Sequence, residues 1–143
     1  MEPKQIEIRC TIELLAKPES VALDAIKKIV SNIEENGKKL EVREIRYGEP
    51  KKVEQDFYSV FATFTVKSDI TSIFGFILDY APSSIEVLSS GELKISLADL
   101  QGILNDLSGR LNEMDLAIKT ISAQNIILSN ENEGLKKNRK DSE

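Results

Sequence analysis

The last third of the sequence repeats apolar residues in alternating steps of four and three, and this pattern most constrains the fold. The repeat begins at Leu100 and reaches Leu135 without a break in register. We call its positions the seam: Leu100, Leu104, Leu107, Leu111, Met114, Ile118, Ile121, Asn125, Leu128, Asn132 and Leu135. A period of 3.5 residues is typical of the a and d positions of heptads, which wind helices into a left-handed supercoil. The pattern therefore predicts one long coiled-coil helix over about 97–135.

A helix of that length is too long to bury its seam on its own domain. About 39 residues at ~1.5 Å each reach on the order of 58 Å, well beyond the diameter of a domain of about ninety residues. The alternative is that the stripe packs back on the same chain, which would leave its distal half in water. The sequence therefore predicts a homodimer, in which a second copy supplies the covering helix.

Charges beside the seam predict how the two copies pair. In a parallel dimer a g residue meets the e residue five positions later on the partner. Arg110 then meets Asp115, and Glu131 meets Lys136, so both pairs are complementary. In addition, Asn125 and Asn132 fall at a positions, where asparagine favours two strands in one register. We predict a parallel homodimer through a coiled-coil segment over 96–136, with Ser96 as its N-cap.

The first part of the chain begins with a strand pattern and a helix pattern. Apolar residues alternate with polar ones over 6–14, which predicts a strand with one buried face. Helical spacing then predicts a helix over about 20–36, with Ser20 as its cap and Asn36-Gly37 as its stop.

Residues 40 to 88 continue with two strands, a helix and a last strand. A charged turn that contains Gly48 and Pro50 separates the first two strands and predicts a hairpin. The predicted elements are a strand over 40–47, a strand over 53–67, a helix that starts near Ser68 or Asp69 and stops at Pro82, and a strand over 84–88.

The resulting order, β-α-β-β-α-β, predicts an α+β domain of the ferredoxin-like type over 1–92. Right-handed crossovers would place both helices on one face of a four-stranded antiparallel sheet. The coiled-coil helix over 96–136 and a disordered basic tail over 137–143 complete the predicted organisation. Many unrelated functions use this fold, so the fold alone does not identify an activity.

Composition argues against several classes of function. The chain contains no histidine and a single cysteine, so it lacks the commonest general base and metal ligand and any cysteine cluster for zinc. Its glycines do not follow the spacing of a Rossmann or P-loop phosphate site. We therefore expect no catalytic, cofactor or metal site, and we predict that the protein is not an enzyme.

Charge and hydropathy point to a cytoplasmic protein. The net charge of -5 disfavours broad binding to nucleic acid or to an anionic membrane, which depends on clustered Lys and Arg. The N-terminal residues contain no apolar signal-peptide core, and no apolar run approaches the ~20 residues of a membrane span.

The apolar second helix is expected to be covered by the root of the C-terminal helix or by the other subunit, and the alternative is a hydrophobic groove for another protein. The outward face of the sheet is a further candidate surface for a partner. The candidate residues of these two surfaces are Phe76 and Tyr80 on the helix, and Phe57, Phe61, Arg9 and Arg43 on the sheet. From these features we predict a homodimeric coiled-coil adaptor that presents globular heads to a protein partner. The alternative is a dimer associated with RNA or DNA, which would use the basic tail and the arginines of the sheet.

Overall fold

The computed structural model describes residues 4–36 and 39–141. The chain divides into an α+β unit, Met1–Asp99, and a helical unit, Leu100–Glu143. The elements are β1 (Gln5–Ala16), α1 (Glu19–Asn36), β2 (Glu41–Tyr47), β3 (Lys51–Lys52), β4 (Tyr58–Asp69), α2 (Ile70–Tyr80), β5 (Ser84–Val87) and α3 (Leu97–Asp141). The predicted helix stop at Gly37 lies outside the described residues.

One antiparallel sheet organises the α+β unit. Its strand order is β2-β4-β1-β5, and the two-residue β3 also pairs with β4. The two central strands, β1 and β4, are twelve residues long and pair along their full length, with Ile8 opposite Val66 and Ile12 opposite Ala62. The predicted α+β class and the long C-terminal helix are therefore confirmed.

The core lies on one face of this sheet, under both α1 and α2. Every second residue of β1 and β4 points into it, and each helix adds one apolar stripe. Its buried members are Ile6, Ile8, Cys10, Ile12, Ala22, Ile26, Val30, Ile33, Val60, Ala62, Phe64, Val66, Ile73 and Phe76. Burial raises the pKa of the Cys10 thiol to about 12, which leaves it protonated and unreactive. The opposite face of the sheet, which we call the open face, carries the alternate residues of the same strands.

The starts of β4 and α1 differ from the sequence prediction. β4 begins at Tyr58 rather than at residue 53, because the Val53 amide bonds the Phe57 carbonyl and closes a tight loop instead of extending the strand. That loop contains a 3-10 turn over Glu54–Asp56. Ser20 does not precede α1, since the helix begins at Glu19 and the Pro18 carbonyl accepts its first amide bonds.

Asp69 ends β4 and caps α2. Its carboxylate accepts the Ser72 amide at 3.3 Å and the Ser72 hydroxyl at 2.7 Å. These bonds favour the ionised form, so the Ser72 side chain, as the largest cause, holds the pKa of Asp69 below its ordinary value of 3.8. An acceptor at this position satisfies an amide that has no partner within the helix.

Replacing Asp69 by alanine should lower the free energy of unfolding by about 1–2 kcal/mol at neutral pH, because the first turn of α2 loses its cap. Since the folded-state pKa is lowered, the stabilisation is complete above the ordinary pKa and disappears as the pH falls through the lower folded value. Urea unfolding as a function of pH measures this difference. A deficit of the same size at pH 7 and at an acid pH where folded Asp69 is protonated would contradict it, and Asp24→Ala on the exposed surface of α1 is the control.

The C-terminal helix α3 is longer than predicted. Ser96 caps it, because its hydroxyl accepts the Asp99 amide at 3.1 Å, and this prediction is confirmed. The helix then runs to Asp141, past the predicted end at 136, so residues 137–141 of the predicted disordered tail are helical. Ser142 and Glu143 lie outside the described residues. Within the described part of the chain, no helix is long and apolar enough to cross a membrane.

Candidate functional site: the seam of α3 and the surfaces of the α+β unit

The seam forms a continuous line of exposed side chains along α3. Every seam residue except Leu107 is exposed in the single chain. The apolar members that are more than half exposed are Leu104, Leu111, Met114, Ile118, Ile121, Leu128 and Leu135, and Leu100 is 37% exposed. Scattered exposed leucines are normal on protein surfaces, but a contiguous apolar line is typical of a contact surface.

The charged residues beside the seam are already partly engaged within the helix. The Asp115 carboxylate accepts the Lys119 ammonium at 2.7 Å, one helical turn away. A carboxylate has two oxygens, so this contact leaves acceptor capacity for Arg110 of a second chain. Glu131 and Lys136 are both exposed.

The middle of α3 has no charged residue for eleven positions, from Thr120 to Asn130. Ile126 and Ile127 lie outside the seam in this stretch and are 62% and 57% exposed. The two seam asparagines, Asn125 and Asn132, are also exposed in the single chain. An exposed helix usually carries charges, so this stretch adds a second apolar surface beside the seam.

On the open face of the sheet, polar residues from three strands stand in rows. Thr65 of β4 has Arg9 of β1 on one side and Arg43 of β2 on the other. The next row consists of Thr63 with Thr11 and Arg46, and the two threonine hydroxyls hydrogen-bond at 3.2 Å.

Two of these arginines are held by carboxylates. Arg9 pairs with Glu86 of β5 at 3.0 Å, and Arg43 pairs with its strand neighbour Glu41. All four side chains are well exposed, so these pairs contribute little to stability.

A bulge in β2 brings Arg46 to this face. The register advances three residues on β2, from Arg43 to Arg46, against two on β4. The extra residue accommodates Glu44 in a left-handed conformation with φ of 53°, and Ile45 packs against the core. The Thr65 hydroxyl donates to the Arg43 carbonyl at 3.2 Å beside the bulge. Bulges of this kind redirect side chains.

The two aromatic residues predicted on this face lie near the sheet's end. Phe61 is 37% exposed, and its ring covers Gly48 so closely that a β-carbon there would lie 2.2 Å from the ring. Gly48 also donates its amide to the Phe61 carbonyl at 2.9 Å. Phe57 is half-buried, with the Lys17 ammonium 4.8 Å from its ring centroid. That these aromatics take part in binding a partner stays a prediction.

Phe76 lies in the core of the α+β unit and not on an exposed surface, contrary to its place among the candidate surface residues. It is only 3% exposed and packs edge-on against Phe64 in the core, with 6.1 Å between the ring centroids. Tyr80 is half-buried, 5.6 Å from the Phe76 ring, and belongs to the same packing. These two side chains are covered because they lie on the side of α2 that packs against the sheet.

The structure shows an apolar surface of the α+β unit that the sequence reasoning missed. Ile85 and Val87 of β5 are 44% and 63% exposed, because they lie on the core face of a strand at the sheet's edge. Beside them is a groove of about 230 Å³, the edge groove, which also touches Ile77 and Leu93. The alternation of apolar and polar residues over 84–88 predicted the strand, but this pattern does not reveal that the strand lies at the edge of the sheet.

Residues 7–130 match the sequence model of the MJ0538 family. No curated protein and no solved structure shows significant similarity to the chain.

Proposed function

The chain belongs to the MJ0538 family, and we propose that it is a non-enzymatic homodimeric scaffold in which two α+β units are joined through a parallel coiled coil of α3 and presented to a protein partner. The observation that supports this most directly is the exposure of the seam. Its side chains, nine of them apolar and two of them asparagines, keep an unbroken heptad register over α3. Because the apolar members are about half exposed in the single chain, each would contribute roughly 1–2 kcal/mol if a partner helix took it fully out of water.

A second copy is the partner that fits the seam best. A left-handed coiled coil needs the same 3.5-residue period in both strands, and two copies of α3 match each other in length and register. Parallel pairing is supported by the complementary charges of Arg110 with Asp115 and of Glu131 with Lys136. It also brings each seam asparagine beside its twin, where the two amides can bond each other.

We propose the ferredoxin-like type for the α+β unit. The order β2-β4-β1-β5, with α1 and α2 packed on one face, supports it. This topology leaves the open face and the edge groove as the surfaces that the unit offers to a protein partner.

Association with nucleic acid is the second candidate. The helical end of the chain favours it, because Lys136, Lys137 and Arg139 follow one another on one or two turns. The arginines of the sheet weigh against it, since Arg9 and Arg43 already pair with carboxylates. We therefore prefer the protein scaffold.

A cysteine placed at Leu128 tests the parallel arrangement. Position 128 is a d residue, so in a parallel dimer the two new thiols face each other and should form an interchain disulfide under mild oxidation. Non-reducing gel electrophoresis measures the crosslinked fraction, which we expect to include most of the protein. The native Cys10 is buried and should not contribute.

Ile127→Cys is the matched control, because position 127 is adjacent but points away from the seam. Little crosslinking is expected there. Equal crosslinking at the two positions, or none at 128, would contradict parallel pairing in this register.

A further inference from the structure

The bulge in β2 creates a small notch on the open face of the sheet. The notch has a volume of about 190 Å³ and is lined by Arg9, Glu44, Arg46, Thr63, Phe64 and Thr65. All of these residues belong to the α+β unit. Four of them, Arg9, Arg46, Thr63 and Thr65, lie on the open face that the proposed scaffold offers to a protein partner, but the notch itself was given no role there.

The backbone at the notch adopts a conformation that is unfavourable for its sequence. Glu44 has a positive φ of 53°, a left-handed conformation that is strained for a residue other than glycine. Packing of Ile45 into the core accounts for the inner side of the bulge. On the outer side, the same bulge places Arg46 opposite Thr63, and Arg46 and Arg9 both line the notch.

The notch offers several donors to an anion. Arg46 is exposed, and among the described residues its guanidinium makes no hydrogen bond or ion pair. Arg9 uses Nη1 to bind Glu86, and a guanidinium has further N–H groups. The Thr63 hydroxyl can accept from Thr11 and donate into the notch.

One acceptor faces the same space. Glu44 lines the notch together with Arg46, yet no ion pair between them appears in the described part of the chain. A bound group that carries only negative charge would be repelled by this carboxylate. A group that combines an oxyanion with its own hydrogen-bond donor would satisfy both sides.

We propose that the notch binds a phosphate group that retains one O–H. The phosphate oxygens accept from Arg46, Arg9 and Thr63, and the remaining O–H donates to the Glu44 carboxylate. Inorganic phosphate and small phosphate monoesters share this chemistry near pH 6, where both are partly protonated. Anions without an O–H are disfavoured, because the Glu44 carboxylate lines the same notch.

Amide NMR spectra of the full-length protein test the proposal. Inorganic phosphate is titrated at pH 6 against sodium chloride of equal ionic strength, and the amides of Arg46 and Thr63 should shift saturably. Sulfate, which has no O–H at this pH, should bind several-fold more weakly. Methyl phosphate in a parallel titration identifies the source: tighter binding indicates an ester, and weaker binding indicates free phosphate.

Three variants assign the contact. Arg46→Gln should weaken phosphate binding about tenfold, the usual effect of losing a charged hydrogen bond. Arg43→Gln is the matched control, because Arg43 lies on the same strand and face but does not line the notch. Glu44→Gln should remove the preference for phosphate over sulfate. The same spectra show that each variant is folded.

The absence of saturable shifts would overturn the proposal. So would an equal loss of binding in Arg43→Gln and Arg46→Gln, since that indicates diffuse attraction by the sheet face rather than a site. A preference for phosphate that survives in Glu44→Gln would overturn the role of the carboxylate.

Discussion

Replacing Leu111 and Ile118 together by lysine should turn the protein from a dimer into a monomer. Both residues are a positions of the seam and are 54% and 61% exposed in the single chain. Because each side chain is only about half exposed before pairing, the four that the dimer loses are worth roughly 3–7 kcal/mol in total, and lysines of like charge must also be brought together. A dimer of micromolar affinity cannot tolerate that loss. Light scattering should therefore show a fall from twice the chain mass to 16.0 kDa.

Leu116→Lys is the control for this double variant. Leu116 is equally exposed, at 55%, but it lies at an f position on the outer side of the helix. The control should keep the mass of the dimer. If it dissociates as readily as the double variant, the assigned register is wrong, because the two faces of α3 would then be equivalent.

Replacing Asn125 and Asn132 together by isoleucine should have the second-largest effect, in the stabilising direction. Asparagines at a positions lower the stability of a coiled coil while they specify two strands in one register. Four isoleucines in the seam of a dimer would bury more apolar surface, which amounts to several kcal/mol by the usual area estimate. The melting temperature measured by circular dichroism should rise by about 10 °C or more. Sedimentation should at the same time show species larger than a dimer.

Asn112→Ile provides the comparison, since position 112 is an outward b position. This variant should keep the mass of the dimer, and its melting temperature should change by no more than a few degrees. An unchanged melting temperature and a strict dimer for the double isoleucine variant would mean that these asparagines do not lie between two helices.

Local patterns in the sequence were sufficient for much of the α+β unit. Alternation in β1 predicted which of its side chains are buried, because a strand between two neighbours must direct every second residue to the core. The Ser96 cap was equally readable, since a hydroxyl before an apolar helical repeat is a strong start signal. The heptad repeat predicted a helix continuous through three glycines, and α3 is continuous.

Features that depend on contacts between distant segments were not predicted. The start of β4 depends on a loop closed by the Val53 amide, and the burial of Phe76 depends on the sheet beneath α2. The end of α3 was also not predicted. The helix continues through the basic residues after 136, because cations are favourable at a helix C-terminus.

The notch was missed for a related reason, although its signal was present. The apolar residues of β2 step by two, three and two through Leu40, Val42, Ile45 and Tyr47. The step of three is what a single bulge produces in a strand with one buried face. That irregularity could have identified Arg46 as a residue of the open face.

Sedimentation equilibrium of the unmodified protein at micromolar concentration tests the central claim most directly. The account predicts a single species with twice the chain mass of 16.0 kDa. A species of 16.0 kDa that persists as the concentration is raised would contradict it, because the seam of α3 would then remain uncovered in the functional protein.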